Sequence, residues 1–552
     1  MARVALISLH DEFCLGLRHL AGYLARAGHE IVLIHFQRYA GYEKDPTGRS
    51  DCSNEADARG AREAMIQVLA SGEVRLAFAS SSTQEERDAV LQVLSEKKPN
   101  VAGISVPSYY KEAARALSRD IRKRLAIPVV WGGVHPTVAP EDCLAGDGAP
   151  DAICLGEGEE SFTDYIAALE GGKDLRTTPL AGMWIRTDGD AVRNEKRPVQ
   201  KDLDRYAWPF HDAGEFVIEG ARVRRRADLT DSSLIWTYKA LTSRGCPADC
   251  AFCINSVLKR DYPDMKRVRL RSPGDVIAEL RRAKETMPYL HSIEFYDEVF
   301  VMRRDWIAEF AELYKKEIAL PFWCYTFPTM ASRENLETLK DMGVAYVSMG
   351  IQSGSDRVNY EVFNRRTSAE SILKAAGLIA DAGIPACYDL ITNNPYETDE
   401  DRGETLDLIA RLPGEYSLQI SHLAFLPGTP LTTRAEAEGK IGTADPKTYR
   451  FWNALYLLAA HRVADRETLL GLSRDEHLRR NPQFLWDALR HGVLAQSERE
   501  EMERLRAKAR RHEKELESLR ATHDALASRR AVRLAVRLAD ALRRTLGKDS
   551  SR

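Results

Sequence analysis

Three cysteines crowded into one loop constrain this chain more than any other feature of its sequence. They lie within Ser243–Cys253, shortly after an apolar run, with the spacing Cys-x3-Cys-x2-Cys: Cys246, Cys250 and Cys253. Thiolates are soft ligands that select zinc, copper(I) or an iron–sulfur cluster. Structural zinc normally takes four protein ligands, and no fourth ligand lies nearby. A [4Fe–4S] cluster can bind three cysteines and leave one iron open. The alternative is chance clustering of buried cysteines, which is disfavoured because only nine cysteines occur in 552 residues.

The composition excludes several classes of protein. A length of 552 residues predicts three or four domains of about 150 residues each, and a net charge of −3 gives no indication of nucleic-acid binding. No apolar run approaches the ~20 residues of a membrane-spanning helix. The segment Met1–Ile7 predicts a strand rather than a signal peptide. The cysteines show no disulfide framework, which indicates a reducing, cytoplasmic location.

The first part of the chain alternates strands and helices. Val4–Ser8 predicts a buried strand, a helix begins at about Leu15, and Glu30–Phe36 predicts the second strand. Residues 38–60 have the composition of a long loop or insertion. Three further strands are predicted at Val101–Val106, Ile127–Trp131 and Ala152–Leu155. Repeated β-α units imply a parallel sheet, so residues 1–200 are predicted to form a Rossmann-like domain.

Glycines and polar residues follow three of these predicted strands. In open parallel sheets, ligands bind outside the carboxyl ends of the strands, and glycine permits close backbone approach. Three such loops are expected to converge on one crevice. The candidate ligand contacts are Ser105, Pro107, Ser108, Tyr109, Gly132, Gly133, His135, Pro136, Gly156, Glu157 and Gly158. No Gly-x-Gly-x-x-Gly follows the first strand, which disfavours a nicotinamide dinucleotide.

After a predicted linker at 201–235, strands and helices alternate again. Strands are predicted near 239–243, 292–296, 321–326, 345–350, 386–391 and 417–425, and helices near 273–287, 304–317, 333–342, 368–382 and 399–412. Six β-α units suit a partial barrel over 236–431, with its active site at the carboxyl ends of the strands. The basic run Arg222–Arg226 in the linker indicates a solvated face, and contact with an anionic ligand is the alternative.

The cysteine spacing, with the aromatic Phe252 before the last cysteine, resembles that of the radical S-adenosylmethionine (SAM) enzymes. Their fold is a (βα)6 partial TIM-type barrel in which the cysteine loop follows the first strand. The resemblance implies that Cys246, Cys250 and Cys253 hold a [4Fe–4S] cluster whose open iron binds the amino and carboxylate groups of SAM. In that family, an electron passed to the cluster cleaves SAM to a 5'-deoxyadenosyl radical. An external electron donor such as flavodoxin or ferredoxin is therefore expected.

Later strand ends resemble the SAM contacts of the same family. The residues that the resemblance assigns to SAM are Phe252, Tyr296, Asp297, Glu298, Gln352, Ser353, Arg366 and Asn393. Many members carry Gly-Gly-Glu where this chain has Tyr296-Asp297-Glu298, so a carboxylate rather than the backbone is expected to contact the SAM ammonium. Asn393 replaces a usual glycine, which is tolerable because Asn visits left-handed conformations. Arg366 either pairs with the SAM carboxylate or is an exposed arginine at a helix start.

The loops Gly132–Thr137 and Gly156–Glu159 resemble those of the cobalamin-binding domain that is fused to many radical SAM enzymes. The resemblance implies that cobalamin is the ligand of the strand ends described above. The Asp-x-His-x-x-Gly sequence, which supplies a cobalt ligand in cobalamin mutases, is absent, and Asp11–Phe13 occupies the comparable loop. No histidine from this loop is therefore expected on cobalt. His135 either contacts the cofactor or is hydrogen-bonded within its own loop.

The resemblance thins beyond residue 431. Residues 432–495 predict a helical region that caps the barrel, and residues 496–552 predict a coiled-coil-like helix followed by a basic amphipathic tail. The arginine-rich stretch Arg529–Arg544 suits peripheral contact with an anionic membrane. Packing on the protein itself, or disorder, is the alternative.

Together these features predict an α/β enzyme that uses a [4Fe–4S] cluster, SAM and cobalamin, cofactors whose chemistry side chains cannot supply. The favoured reaction is methylation of an unactivated carbon in a small-molecule or lipid-linked substrate. Tyr388, Asp389 and His422 are candidate substrate contacts, with barrel packing as the alternative. Three other functions stay open: a cyclase or rearrangement enzyme of the same architecture, a SAM enzyme whose first domain binds no cobalamin, and a non-enzymatic metal-binding scaffold.

Overall fold

A computed structural model describes residues 1–9, 11, 13–36, 64–68, 74–78, 82–211, 214–229, 233–300 and 303–489. The chain divides into two compact units, Met1–Arg490 and His491–Arg552. The loop predicted at 38–60 and the coiled-coil-like helix and basic tail predicted at 496–552 lie outside the described residues and stay predictions. None of the helices in the described ranges has the length and apolar character needed to span a bilayer.

The strands fall into two large sheets and one ribbon. In chain order they are β1 Arg3–Ser8, β2 Glu30–Phe36, β3 Ala64–Val68, β4 Val74–Phe78, β5 Val101–Ser105, β6 Val129–Gly132, β7 Ala152–Cys154, β8 Met183–Arg186, β9 Ala191–Arg193, β10 Phe216–Glu219, β11 Arg222–Arg225, β12 Thr237–Ala240, β13 Ser243–Arg244, β14 Arg269–Leu270, β15 Ser292–Phe295, β16 Phe322–Thr326, β17 Val344–Gln352, β18 Ala386–Thr392 and β19 Tyr416–His422.

Helices connect most of these strands. They are α1 Leu15–Arg26, α2 Gln84–Lys97, α3 Lys111–Leu125, α4 Val134–Val138, α5 Pro140–Leu144, α6 Gly158–Glu170, α7 Ser233–Trp236, α8 Ile254–Asp261, α9 Pro273–Thr286, α10 Arg304–Glu317, α11 Arg333–Met342, α12 Ala369–Asp381, α13 Asp399–Arg411, α14 Pro430–Ala437, α15 Pro446–Ala460, α16 Arg466–Leu472 and α17 Glu476–Arg480. Residues 483–489 are also helical, so the region after 431 is helical as predicted.

The first sheet has the order β11-β10-β2-β1-β5-β6-β7-β8-β9. Its centre, from β10 to β7, is parallel, and β11, β8 and β9 are antiparallel additions at the edges. Side chains of β1 alternate between two buried layers, with Val4 and Leu6 in one and Ala5 and Ile7 in the other. Burial on both faces explains the continuous apolar run in the sequence and confirms the predicted Rossmann-like architecture.

The second sheet has the order β12-β15-β16-β17-β18-β19-β3-β4. Its first six strands are parallel and alternate with helices, which is the predicted (βα)6 partial barrel. The last two strands, β3 and β4, form an antiparallel hairpin that pairs with β19. This hairpin comes from the first part of the chain, and the sequence analysis did not anticipate it.

The segment predicted as a linker also contributes to a sheet. β10 pairs in parallel with β2, and β11 pairs with β10, so residues 216–225 extend the first sheet. The basic run Arg222–Arg226 is therefore largely an edge strand, in which Arg222 and Arg225 are exposed. Arg226 differs, because its side chain is buried against Glu215 at 3.2 Å. Sequence periodicity could not reveal this hairpin because its strands are only four residues long and β11, Arg-Val-Arg-Arg, lacks a clear apolar alternation.

Candidate active site

A two-stranded ribbon encloses the cysteine loop. β13 and β14 pair antiparallel, with Arg244 opposite Arg269, and the cysteines and α8 lie between them in the chain. The loop leaves β12, the first barrel strand, at its carboxyl end. Active sites of such barrels lie at this end, so the predicted position of the cysteine loop is confirmed.

Asp297, directly after β15, fixes the beginning of the cysteine loop. Its buried carboxylate accepts hydrogen bonds from the backbone N–H of Thr242 at 3.1 Å and from the hydroxyls of Thr242 and Ser243. Burial raises the pKa of Asp297 to about 6, although these donors favour its charged form. Since both oxygens are occupied by the loop, Asp297 supports the cysteines rather than meeting SAM. The neighbouring Glu298 is exposed and is the carboxylate left for the SAM ammonium.

The three thiols share a largely buried environment. Cys250 is 6% exposed. Burial, with the nearby charge of Glu298, raises the pKa of Cys246 and brings that of Cys253 to about 12. Within the described ranges, no three His, Cys, Asp or Glu side chains are gathered as ligands of a metal ion. A cluster does not need ligands that converge on one point, because each thiolate binds its own iron. The donor set therefore fits an iron–sulfur cluster, whose binding displaces the thiol protons.

Arg365, rather than the predicted Arg366, reaches the cysteine loop. Its guanidinium lies 3.7 Å from Cys250 Sγ and donates a hydrogen bond to the Gly350 carbonyl at 2.5 Å. It also lies over the ring of Phe327, 4.1 Å from the centroid. Arg365 is 6% exposed and its buried Nε has no partner, whereas Arg366 is exposed. The buried arginine is thus the better candidate for the SAM carboxylate.

A tight turn selects Arg365 over its neighbour. Asn364 adopts a φ of 48°, and its side-chain amide donates a hydrogen bond to the Asp249 carbonyl at 2.8 Å. The backbone N–H of Arg365 then donates to the Asn359 carbonyl at 2.7 Å. Both contacts turn the first of two adjacent arginines toward the cysteines. Sequence reasoning missed this because a motif alone does not tell which of two consecutive arginines points inward.

The end of β17 contains one candidate SAM contact and one residue that is occupied elsewhere. Gln352 adopts a φ of 62° beside a β-bulge. A Cβ on Gly350 would meet the flexible end of the Gln352 side chain, which would have to move aside. Ser353 is fully buried, and its hydroxyl lies 3.2 Å from Thr405 Oγ1 in α13. Gln352 therefore stays a candidate for SAM, whereas Ser353 anchors the strand end to a helix.

Two other predicted SAM residues lie close to the cysteine loop or at a barrel strand end. Phe252 packs edge-to-face on Phe363, with ring centroids 4.9 Å apart, and belongs to an apolar cluster that includes Ile391. Asn393, just after β18, has a φ of 60° and a buried Oδ1 without a partner. An unpartnered buried acceptor favours a ligand donor at this position. Tyr296, in contrast, contacts Lys239 and aromatic residues of the barrel.

The candidate substrate contacts lie on different sides of the barrel wall. Tyr388 is 1% exposed and its ring is 5.4 Å from that of Tyr416, so it packs beneath the helices. Asp389, the next residue in β18, has the opposite orientation, because side chains alternate along a strand. Ser348 Oγ donates to Asp389 Oδ2 at 3.2 Å, and Oδ1 has no partner. His422 ends β19, and burial lowers its pKa, which favours a neutral imidazole.

The three loops that follow the strands of the first domain converge, as predicted. Thr137 Oγ1 donates to the Gly133 carbonyl at 2.7 Å and accepts from the Gly156 N–H at 3.0 Å. Gly133 has a φ of 91°, and a Cβ there would lie 3.2 Å from Ser105 Oγ and 3.3 Å from the Val106 nitrogen. This glycine cradle fits close approach of a bulky cofactor such as cobalamin. Thr137 joins the loops but was not among the predicted contacts.

The remaining predicted cobalamin residues differ in accessibility. Tyr109 is 56% exposed, whereas Pro136 is buried in α4. The others are partly exposed along the same edge: Ser105, Pro107, Ser108, Gly132 and Gly158. Gly158 begins α6, and a Cβ on it would meet Cys154 Sγ at 3.5 Å, which is ordinary contact. Their role in cofactor binding stays a prediction.

His135 is directed into its own domain. It is 2% exposed, Nδ1 lies 3.2 Å from Ser108 Oγ, and Nε2 lies 3.2 Å from a carboxylate oxygen of Asp142 in α5. Burial lowers the pKa of His135 despite the nearby charge of Asp142. Both ring nitrogens face side chains of the first domain. The structure thus favours the second of the two interpretations of His135, a loop histidine held inside its domain by a hydrogen bond to Ser108 and a contact with Asp142.

Glu157 binds the other domain, which changes its predicted role. Its carboxylate lies 2.6 Å and 3.1 Å from the two terminal nitrogens of Arg269 and 3.2 Å from Arg244 Nη1. Glu159 lies 2.6 Å from Arg244 Nη2. Burial favours a higher pKa for Glu157, but the hydrogen bond from Arg269 and the charge of Arg244 hold it below its usual value. Glu157, Glu159, Arg244 and Arg269 form a buried clasp between the two domains.

The clasp connects the two candidate cofactor sites. Arg244 is two residues before Cys246, while Glu157 is next to Gly156 of the glycine loops. A Cβ on Gly156 would lie 2.8 Å from the hydroxyl of Tyr262, which follows α8. The first domain therefore contacts the barrel through both the clasp and this close approach. Sequence reasoning missed the clasp because acidic and basic partners so far apart in the chain show no local signature.

A second interdomain contact comes from the loop after β1. Lys239 of β12 lies 3.8 Å from the centroid of the Phe13 ring and 4.1 Å from that of Tyr296, and it pairs with Glu294 at 3.2 Å. In the same loop, the buried thiol of Cys14 has a pKa raised to about 11 by burial. Phe13 thus stands between the ligand edge of the first sheet and the mouth of the barrel.

Comparison with known proteins matches this architecture. Residues 6–166 match the B12 binding domain and residues 241–409 match the radical SAM superfamily. The chain is 25% identical over 396 residues to a protein from Pyrococcus horikoshii named as an uncharacterized methyltransferase, which covers 68% of this chain and 80% of that protein. It is 24% identical over 398 residues to the anaerobic magnesium-protoporphyrin IX monomethyl ester cyclase of Rubrivivax gelatinosus, covering 70% and 67% of the two chains.

A solved structure shares the fold. The radical SAM methyltransferase TsrM from Kitasatospora setae, with cobalamin and a [4Fe–4S] cluster bound, has a TM-score of 0.54 at 16% identity and covers 81% of this chain and 80% of that one. The fold and the three-cysteine loop define a radical SAM enzyme. More particularly, the chain is a radical SAM protein with an N-terminal B12-binding domain. Its cofactors are a [4Fe–4S] cluster, SAM and cobalamin.

Proposed function

We propose that this enzyme methylates an unactivated carbon of a small-molecule substrate. The observation that carries the proposal is the buried clasp, because it joins the ligand edge of the B12-binding domain to the loop that bears the cysteines. When bound, the cluster and SAM supply a primary carbon radical, and cobalamin supplies a methyl group. A reaction that uses both groups on one substrate requires that the two cofactor sites are held in a fixed relative position.

Several residues of the chain position SAM and the cysteine loop. We expect Glu298 to accept from the SAM ammonium, and Arg365, whose buried Nε has no partner, to bind the SAM carboxylate. Phe252 and Ile391 provide an apolar surface beside the cysteine loop that excludes water. Asp297 and the clasp hold the two ends of that loop. Tight positioning of this kind lowers the barrier to reaction without a catalytic acid or base.

The net reaction balances with two molecules of SAM and two electrons. One C–H bond of the substrate becomes a C–CH3 bond, and the other products are 5'-deoxyadenosine, methionine and S-adenosylhomocysteine. The electrons come from an external donor such as flavodoxin or ferredoxin. A reducing compartment such as the cytoplasm belongs to the proposal, because the cysteines in the described part of the chain are free thiols. Membrane contact through Arg529–Arg544 stays a prediction.

Anaerobic reconstitution tests this function. The protein is loaded with iron, sulfide, hydroxocobalamin and SAM, and cofactor binding is followed by absorbance and products by mass spectrometry. Formation of 5'-deoxyadenosine together with S-adenosylhomocysteine supports methyl transfer. Formation of 5'-deoxyadenosine alone supports a cyclase or rearrangement, an activity consistent with one relative's name. Cys250→Ala is the control for cluster-dependent cleavage, and failure of the wild-type protein to bind cobalamin contradicts the proposal.

A further inference from the structure

The inner face of the barrel carries side chains that cofactor binding leaves unused. Along β15, β16 and β17 the outward residues are fully buried beneath helices, for example Phe295, Phe322 and Val347, each at most 1% exposed. The alternate residues point to the inside of the barrel. In strand register, Glu294 stands beside Trp323, and Trp323 beside Tyr346. Neighbouring strands thus place their inner side chains next to one another.

Four of these inner residues are aromatic and contact one another; we call them the aromatic wall: Tyr296, Trp323, Tyr325 and Tyr346. The Trp323 ring is stacked on Tyr346 with centroids 5.6 Å apart and meets Tyr325 at 5.0 Å and Tyr296 at 5.3 Å, both edge-on. Tyr296 and Tyr346 are 39% and 37% exposed. Large aromatic rings on a barrel's inner face that remain partly open offer a surface for a flat ligand.

An acidic group stands next to this wall. Ser348 lies opposite Tyr325 in register and donates a hydrogen bond to Asp389 Oδ2 at 3.2 Å, so it links the wall to Asp389. The other oxygen, Oδ1, is buried and has no hydrogen-bond partner. Buried polar atoms are nearly always satisfied. An unsatisfied carboxylate oxygen near Tyr325 and Tyr346 of the wall therefore indicates a missing donor, and a bound substrate can supply it.

The charge balance of the inner face is unfavourable for an anion. Lys239 is the sole cation among the described residues on the inward side of the six parallel strands, and Glu294 neutralises it at 3.2 Å while Phe13 and Tyr296 cover it. Arg365 enters from a loop and contacts Cys250, on the side of the cysteines. A phosphate or carboxylate placed against the wall would meet the Asp389 carboxylate, and the cation whose charge acts on Asp389 is Arg365, which the proposed function assigns to the SAM carboxylate.

We propose that the aromatic wall and Asp389 bind a substrate that has a flat ring system and a cationic nitrogen, with the ring on the wall and the nitrogen on Asp389 Oδ1. Aromatic faces attract both planar rings and cations, and the carboxylate gives the cation its orientation. The inference rests on the proposed function in that it takes the barrel interior as the substrate site. It makes a lipid-linked substrate with its anionic head inside the barrel unfavourable.

Three probes test the class by equilibrium dialysis against the reconstituted protein with SAM bound. Tryptamine has a flat ring and a cation, indole-3-acetate has the same ring and an anion, and cyclohexylamine has the cation without the flat ring. Tryptamine is expected to bind about tenfold more tightly than either of the others. Equal binding of tryptamine and indole-3-acetate, or absence of tryptamine binding, would overturn the proposal.

Two variants separate the parts of the site. Asp389→Asn is expected to remove the preference for tryptamine over indole-3-acetate. Trp323→Leu is expected to remove the preference for tryptamine over cyclohexylamine. Trp323→Phe, which keeps an aromatic ring, is expected to retain part of that second preference. Tyr289→Leu, at an exposed tyrosine outside the barrel, is the matched control. Cluster absorbance and iron content after reconstitution report whether the barrel of each variant is folded. If folded variants keep both binding preferences, the assignment of the aromatic wall and Asp389 to the substrate is contradicted. The binding measurement does not depend on whether SAM cleavage leads to methylation.

Discussion

The cysteine loop and the glycine loops are the two cofactor-facing regions of the molecule, and they are held in different ways. The glycine loops are fixed inside their own domain by neutral hydrogen bonds, chiefly those of Thr137. The cysteine loop is fixed within the barrel by Asp297 and the Asn364 turn, and also by charged carboxylates of the other domain. The glycine site can therefore form with its own domain, whereas the cysteine site needs both domains in contact.

This difference predicts which substitutions lower stability most. Removing one partner of a buried charged group leaves the other charge unpaired, which costs more than losing a neutral hydrogen bond. Substitutions in the clasp should therefore affect the cluster region more strongly than substitutions in the glycine loops affect cobalamin. Four substitutions test this comparison.

The largest effect is expected from Glu157→Ala. The change leaves the buried Arg269 without a carboxylate partner, while Arg244 keeps Glu159. The unpaired arginine should lower the free energy of unfolding by about 3 kcal/mol. Thermal unfolding and the iron content after reconstitution measure the loss. Glu141→Ala, which removes the exposed partner of Arg193, is the control and should change little. Equal unfolding temperatures for the two variants would show that the clasp does not hold the domains together.

Arg365→Lys should weaken SAM binding and cleavage by about tenfold or more, because a lysine cannot reproduce the fork that reaches Cys250 and Gly350 together. Titration with SAM and the rate of 5'-deoxyadenosine formation measure the effect. The electron paramagnetic resonance spectrum of the reduced cluster should also shift, since the contact with the Cys250 sulfur is lost. Arg366→Lys is the neighbouring control, and an equal loss in that variant would return the role to Arg366.

Gly133→Ala sharpens the comparison on the cobalamin side. The residue has a φ of 91°, so alanine adds backbone strain of about 1 kcal/mol, and its Cβ enters the cradle beside Ser105. We expect weaker cobalamin binding in an absorbance titration, with the cluster region unaffected. Gly28→Ala is the control at another glycine of positive φ, since Gly28 has a φ of 92° and nothing within 4 Å of an added Cβ. Cobalamin affinity unchanged in both variants would exclude the cradle.

The sequence predicted elements and local motifs well, but not contacts between distant segments. Apolar runs at strand spacing indicated both sheets, and the position of the cysteines after β12 followed from the chain order. Adjacent alternatives were harder: the motif pointed to Arg366, while the Asn364 turn brings in Arg365. Asp297 was assigned to SAM from its place in the motif. Its hydrogen bonds with Thr242 and Ser243 depend on tertiary structure and could not be inferred from the sequence. The clasp and the β3–β4 hairpin depend on pairing between the two domains, which no local pattern encodes.

The smallest expected effect concerns the pH dependence of stability at Asp389. Burial raises the pKa of this carboxyl to about 6, above the usual value near 3.9. The native state therefore binds the proton more tightly than the unfolded state, and the stability this contributes is complete below about pH 4 and is lost as the pH rises through about 6. Asp389→Asn removes the titration, so the unfolding temperature of this variant relative to the wild type should rise between pH 4 and pH 7.

Asp297→Asn is the contrasting variant. The pKa of the Asp297 carboxyl is also about 6, but its oxygens accept several hydrogen bonds that an amide cannot all accept. The variant should be less stable than the wild type at pH 7, where the carboxylate is charged, and an Asp297→Asn variant that is stabilised at pH 7 would show that this carboxylate does not hold the cysteine loop.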